Sequence, residues 1–217
     1  MSHDDPTLPD GDATVTDDDR TLKPQASPGE EGGAITPETP GRYTVKREYG
    51  RGGQSRVLLA YDEHLLREIA LKELLGDIEE RGSRSTSQAA SARFIREARI
   101  TGQLEHPNIV PVYELGQHVD GSVYYTQKLV KGATLKARLA DCREAGARLS
   151  LLAHFADICH AVAYAHSRGV VHRDLKPDNV MVGQFGETVV LDWGLAKARG
   201  EKDLRGPAVL RKATAMR

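Results

Sequence analysis

The stretch Val171-His172-Arg173-Asp174-Leu175-Lys176-Pro177-Asp178-Asn179-Val180-Met181 is followed, thirteen residues after Asn179, by Leu191-Asp192-Trp193-Gly194. Its residue types suit work on a phosphate ester. Asn179 and Asp192 offer hard oxygens of the kind Mg²⁺ prefers. Asp174 supplies a carboxylate for an incoming hydroxyl, and Lys176 a cation for a phosphoryl group in transfer. Two carboxylates, an amide and a lysine within so short a stretch describe a magnesium–nucleotide site.

Three features upstream could complete such a site. Ile69-Ala70-Leu71-Lys72 places a lysine among apolar neighbours, which would desolvate it unless a phosphate or carboxylate is near. Glu97 follows Phe94 by three residues, so on a helix it shares that face and can look toward a sheet, although an isolated helical glutamate is ordinarily a surface charge. In Gly50-Arg51-Gly52-Gly53-Gln54-Ser55-Arg56-Val57 the glycines let the backbone bend and approach a polyphosphate closely. By itself a glycine-rich hairpin is more often a turn. A Rossmann or Walker loop would lead directly into a helix, whereas residues 57–61 read as a strand, so the context favours a flap over phosphates.

The elements that must position these groups can be read from periodicity. Residues 43–48, 57–61 and 68–73 form apolar runs between turn signals and are predicted to be antiparallel strands. Phe94, Ala98, Thr101 and Leu104 recur at helical spacing until His106-Pro107-Asn108 stops the helix. Two more strands, 110–115 and 122–130, flank an Asp120-Gly121 turn. After Gly132 the chain turns helical, with a short segment at 134–140 and a longer one at 149–167. There Leu152, Phe155, Cys159, Val162, Ala163 and Ala165 are expected to face the core, and Gly169 to end the helix. Short strands at 180–182 and 188–191 follow. This order specifies an α+β fold.

Composition narrows the setting. The 217 residues suffice for one domain of ordinary size. Residues 1–40 hold ten acids against two bases and six of the ten prolines. Such a segment cannot bury enough surface to offset its ordering entropy, so 1–41 is expected to be a disordered acidic tail. No apolar run approaches the roughly 18 residues that span a bilayer, and Met1-Ser2-His3-Asp4-Asp5 is acidic where a signal peptide would be basic. No membrane partner is expected for this chain. Cys142 and Cys159 lack the spacing of a disulfide framework or zinc site, which fits a cytoplasmic setting. His154, His160 and His166 are six residues apart and point in different directions around a helix, so they read as ordinary helix positions. Residues 195–217 hold seven bases and two acids but no interleaved aromatics, and no nucleic-acid partner is expected.

Taken in order and at these spacings, the signatures from about residue 43 to 196 resemble the eukaryotic-type protein kinase family. Asp192-Trp193-Gly194 together with this loop is similar to bacterial Ser/Thr kinases. The resemblance implies a two-lobed fold: a complete N-lobe at 42–129, with a five-stranded antiparallel sheet plus one helix, and a partial helical C-lobe at 130–217 containing the catalytic loop and the start of the activation segment. It implies transfer of the γ-phosphate of ATP to Ser/Thr hydroxyls of a protein substrate, with Mg²⁺. Gly50, Gly52, Gly53 and Ser55 would cover the phosphates, Val57 and Ala70 roof the adenine, and Met181 form its floor. Lys72, paired with Glu97, would hold the α and β phosphates. Gln127 falls at the gatekeeper position, with the backbone of Lys128 and Val130 at the adenine edge. Asp174 would orient the substrate hydroxyl, Lys176 steady the γ-phosphate, and Asn179 and Asp192 hold Mg²⁺.

The chain departs from the family pattern at three places. Ser55 replaces the third loop glycine, Trp193 replaces the usual phenylalanine, and no Ala-Pro-Glu follows Gly194. The expectation is therefore a truncated kinase whose isolated chain is feebly active and exposes apolar surface, with a dimer or a missing C-terminal lobe as ways to complete it. A nucleotide-binding pseudokinase or interaction module and an unstable fragment remain as alternatives.

Overall fold

The period-two patterns of the first half pair into one twisted sheet. The computed structural model describes residues 34–75 and 84–198. Strands β1 (Thr36–Pro37), β2 (Tyr43–Arg51), β3 (Ser55–Asp62) and β4 (Arg67–Leu74) precede helix α1 (Arg84–Gly102), and β5 (Val112–Gln117) and β6 (Val123–Lys128) follow it. Their spatial order is β1-β5-β6-β4-β3-β2. Every neighbouring pair is antiparallel except β1 with β5. Local chemistry sets the turns: the Asp62 carboxylate accepts the N–H groups of His64 and Leu65 between β3 and β4, and Asp120 accepts the N–H of Ser122 beside Gly121, whose φ is +87°.

The five antiparallel strands agree with the sequence reading, but β1 does not. It falls within the stretch expected to be disordered, of which residues 34–41 are described and fold onto the sheet edge; residues 1–33 lie outside the described residues. Composition averaged over the forty residues of an acidic segment conceals the seat of one apolar side chain, Ile35, which packs against a cluster of Phe94, Ala98, Val123 and Tyr125.

The second half is built from β7 (Gly132–Thr134), α2 (Leu135–Asp141), α3 (Ala145–Leu149), α4 (Leu152–Ser167), β8 (Val170–Val171), a 3-10 turn at Pro177–Asn179, β9 (Val180–Gly183), β10 (Thr188–Val190) and β11 (Lys197–Ala198). Thr134 caps α2 by accepting the N–H of Ala137. Strands β7, β9 and β10 make a small sheet, and β8 pairs with β11. The two halves are joined through residues 108–110, where Val110 N–H donates to Val190 O, Val190 N–H donates to Asn108 O, and the Asn108 amide donates to Thr188 O. A shared core lies beneath this junction, in which Ile100 and Leu104 meet Ile158, Ala161, Val180, Val190 and Trp193.

Helix α4 corrects one expectation. Leu152 and Phe155 are 58% and 61% exposed, and Cys159 and Ala163 are exposed as well, whereas Ile158, Ala161 and Ala165 face the core. This helix is apolar around most of its circumference, so periodicity alone cannot choose its buried face. The small residues Ala161 and Ala165 supply the face that lets the backbone approach its neighbours. Among the described residues, no helix is long and apolar enough to cross a membrane.

Candidate active site

Lys72 and Glu97 come from elements that the sequence leaves twenty-five residues apart, and the fold makes them an ion pair. The alternation of β4 puts Leu71 into the core on one side of the sheet and Lys72 toward α1 on the other. Its Nζ donates to Glu97 Oε1 at 2.6 Å and to Asp192 Oδ1 at 3.3 Å. Lys72 and Glu97 are both buried. Tyr125, opposite Lys72 on β6, donates its hydroxyl to the same Glu97 Oε1 at 2.8 Å, and its ring lies 5.7 Å from the ammonium. Burial pulls the Lys72 pKa down, but the Glu97 and Asp192 carboxylates more than restore it, so its net value lies above the ordinary one. Burial and the adjacent Glu97 charge hold the Tyr125 phenol far above its usual range, so it stays a donor.

Residues of the 171–181 stretch form a second cluster. Lys176 Nζ donates to Asp174 Oδ2 at 2.8 Å, and the Asn179 amide donates to Asp174 O at 2.9 Å and to its Oδ2 at 3.2 Å. The Lys176 hydrogen bond, outweighing partial burial, keeps the Asp174 carboxyl below its usual range, and the same bond raises Lys176. Arg173 and Asp192 have φ of 68° and 58°, left-handed conformations that cost energy in residues bearing a Cβ. In both cases the strained residue belongs to a stretch from which the sequence predicts chemistry.

His172 and Trp193 tie the two clusters together. The imidazole lies against the indole with centroids 4.5 Å apart. Its Nδ1 accepts the N–H of Asp174, and its Nε2 donates to Leu191 O at 3.1 Å, so the neutral ring bridges the loop to the segment that carries Asp192. Burial lowers the His172 pKa. An unfolded chain therefore binds this proton more readily than the folded one. Stability contributed here is complete above the ordinary imidazole value of 6.5 and is lost as pH falls from there through the lowered folded value. Chemical denaturation between pH 7 and 5 is expected to show this slope reduced in His172→Gln, and an unchanged slope would contradict the assignment. Trp193 fills the slot beneath α1 at 1% exposure, with no partner for its indole N–H among the described residues.

The remaining predicted residues are distributed around these clusters. Gly50 lies near the end of β2, paired with Val57, and the turn to β3 carries Gly52 and Gly53, with Gly52 N–H donating to Ser55 O at 2.8 Å. A Cβ added at Gly50 or Gly53 would touch nothing within 4 Å, so no contact among the described residues demands glycine there. Val57 pairs with Lys72, and Ala70 with Gln127. Met181 is buried with Val110, Val130 and Val189. The Lys128 N–H is donated to Pro111 O at 3.1 Å, which leaves the carbonyl of that residue, not its amide, to meet a ligand.

Three contributors were not singled out from sequence. Tyr125 gives no signal that separates it from its neighbour Tyr124. His172 sits inside the quoted motif, which could have flagged it. Gly194 is required by packing, since a Cβ there would lie 2.9 Å from Glu97 Oε2 and 3.4 Å from Asp192 Oδ1.

Comparison with known proteins shows the family. The family model described as the protein kinase domain matches residues 43–209. The serine/threonine-protein kinase PknD of Protochlamydia amoebophila (strain UWE25) is 42% identical over 166 residues, covering 71% of this chain and 16% of the relative. PknD of Chlamydia pneumoniae is 42% identical over 175 residues, covering 75% of this chain and 18% of the relative. The chain thus spans about a sixth of the length of these curated relatives. Among solved structures, PpkA-294 in its apo form superposes with a TM-score of 0.61 at 29% identity, covering 74% of this chain and 61% of that one. With a family model matched over most of its length, this chain belongs to the protein kinase family.

Proposed function

We propose that this chain binds Mg-ATP between its sheet and its helical half and directs the γ-phosphoryl group to Ser/Thr hydroxyls of a protein substrate. The observation that carries this reading is Lys72, held by Glu97 at 2.6 Å and Asp192 at 3.3 Å, one ammonium shared by a buried and a half-exposed carboxylate. Protein kinases as a family use ATP with a divalent metal. The donor set here fits that metal. Asn179 spends its amide N–H groups on Asp174, which leaves its carbonyl oxygen as the group to offer. The Asp192 side chain is 47% exposed and can turn from Lys72 toward a ligand. Two protein oxygens are enough for Mg²⁺, which takes phosphate and water for the rest.

In this reading Lys72 orients the α and β phosphates, and Gly50, Gly52, Gly53 and Ser55 cover them, with the Gly52 N–H kept within the turn by Ser55 O. Val57, Ala70 and Met181 provide the apolar faces for adenine, beside Gln127, the Lys128 carbonyl and Val130. Bound Mg²⁺ would neutralise phosphate charge as it redistributes in the transition state. Asp174, with its pKa lowered by Lys176, is a weak base; it accepts a hydrogen bond from the incoming hydroxyl and takes the proton late. Lys176 offsets negative charge on the phosphoryl group. The form Asp-Leu-Lys-Pro-x-Asn and the Ser/Thr kinase names of the relatives support Ser/Thr acceptors. Free Cys142 and Cys159 and the use of ATP support a cytoplasmic setting. The exposed Leu149, Leu152, Phe155 and Leu175 favour a second reading for the isolated chain, in which it binds nucleotide but transfers phosphate feebly.

Titration with Mg-ATP tests the site. Asp192→Ala is expected to weaken binding by roughly tenfold or more, because phosphate charge loses its metal-mediated partner. The difference should shrink when EDTA replaces Mg²⁺. Equal Mg-dependent affinity in the two proteins would remove the assignment.

A further inference from the structure

Strand β1 lies upstream of the residues that match the protein kinase domain, yet it is built into the scaffold of the site. Thr36 and Pro37 pair in parallel with Gly116 and Gln117 of the sheet's edge strand, and Glu38 N–H donates to Gln117 O at 2.8 Å. Residues 34–41 grip that edge from both faces. On one face, Ile35 packs against the cluster of Phe94, Ala98, Val123 and Tyr125. On the other, the Glu38 carboxylate meets His118 Nδ1 at 2.5 Å. The His118 ring lies on Tyr124, and its Nε2 is 3.4 Å from Glu73, the residue after Lys72.

Ile35 thus shares a cluster with both structures that hold Glu97 in place. Phe94 and Ala98 flank Glu97 on α1, and Tyr125 donates its hydroxyl to the Glu97 carboxylate. Apolar contact between α1 and the sheet keeps that helix seated, and Glu97 is within 2.6 Å of Lys72 only while it is. We propose that residues 34–41 are a positioning strap for the Lys72–Glu97 pair, in which Ile35 holds α1 against β6 and the Glu38–His118 contact keeps the strap in register. Without Ile35 the gap between α1 and the sheet edge admits water, and α1 gains freedom to carry Glu97 away from Lys72. Ile35 is a positioning residue, since it acts through α1 and Tyr125. The inference rests on the reading of Lys72 and Glu97 as nucleotide-site residues.

The full 217-residue chain serves for the test, as wild type, Ile35→Ala, Ile35→Leu and Glu38→Gln. Hydrogen exchange without nucleotide compares residues 94–102 with residues 180–190 as an internal reference. Ile35→Ala is expected to speed exchange in 94–102 by roughly tenfold and leave 180–190 unchanged, with Ile35→Leu close to wild type and Glu38→Gln between them. Mg-ATP affinity, measured well below the melting temperature where every variant is folded, should weaken about threefold or more in Ile35→Ala and recover in Ile35→Leu. Equal acceleration in both regions would make Ile35 a general core residue and overturn the proposal, as would unchanged exchange in 94–102. Should wild type bind no Mg-ATP, the nucleotide reading fails while the exchange comparison still decides the strap. Should wild type bind and Ile35→Ala match it in both measurements, the strap alone fails.

Discussion

Asp174→Asn is expected to lower phosphoryl transfer by roughly 10²–10⁴-fold, the range for removing a positioned acid–base group, while Mg-ATP affinity stays within about twofold. The asymmetry follows from where the carboxylate sits. Asp174 Oδ2 is held by Lys176 at 2.8 Å and by the Asn179 amide at 3.2 Å, with part of the side chain open to an arriving hydroxyl. Lys176 keeps the carboxyl below its ordinary range, so at neutral pH it is charged and ready to accept. Asparagine retains the volume but loses the charge that receives the proton. ATP titration and single-turnover transfer to a Ser/Thr peptide separate the two effects, and phosphoamino-acid analysis identifies the acceptor. Undiminished transfer in Asp174→Asn, or phosphotyrosine as the main product, would refute the assignment.

Glu97→Ala is expected to cost about 3–5 kcal/mol of stability, because it leaves the Lys72 ammonium buried with one partly exposed carboxylate. For a domain whose whole net stability is on the order of 5–15 kcal/mol, that loss brings unfolding close. The double replacement Lys72→Met with Glu97→Leu is the informative companion. Removing both charges and filling the space should recover much of the stability, while Mg-ATP binding stays lost because no cation remains for the phosphates. Urea midpoints at constant m-value, read beside ATP titration, distinguish the outcomes. The pH dependence has a definite sign. The Lys72 pKa is raised on folding, so the pair's contribution is complete below the ordinary lysine value of 10.5 and is lost as pH rises through the folded value. A double mutant that binds Mg-ATP like wild type would show that the pair is structural only.

Much of this protein was legible in its sequence because the signals are local. Strands β2 to β6 and the end of α1 follow from alternation, helical spacing and turn residues that act within a few positions. Asp174, Lys176, Asn179 and Asp192 could be named together because one hairpin brings them close, so chain distance nearly equals spatial distance. Lys72 and Glu97 could be suspected singly, from an amine among apolar neighbours and a carboxylate on the core side of a helix. Their pairing at 2.6 Å with Tyr125 as third member depends on the register of β4 with β6 and on how α1 docks, which no local pattern encodes.

Where sequence reasoning failed, burial was decided by partners distant in the chain. The buried face of α4 is chosen by β8 and β10, not by its own nearly uniform apolar surface, so Leu152 and Phe155 ended outside and Ala161 inside. The acidic composition of residues 1–40 argues for disorder only as an average, and Ile35 with Glu38 escapes it because the open edge of β5 supplies backbone partners and an apolar seat. Residue types and short spacings determined the chemistry this chain can attempt. Long-range packing alone decided which carboxylate meets Lys72, which face of each helix is dry, and that the segment before the first expected strand belongs to the folded unit, because those outcomes rest on contacts between residues that only the closed chain brings together.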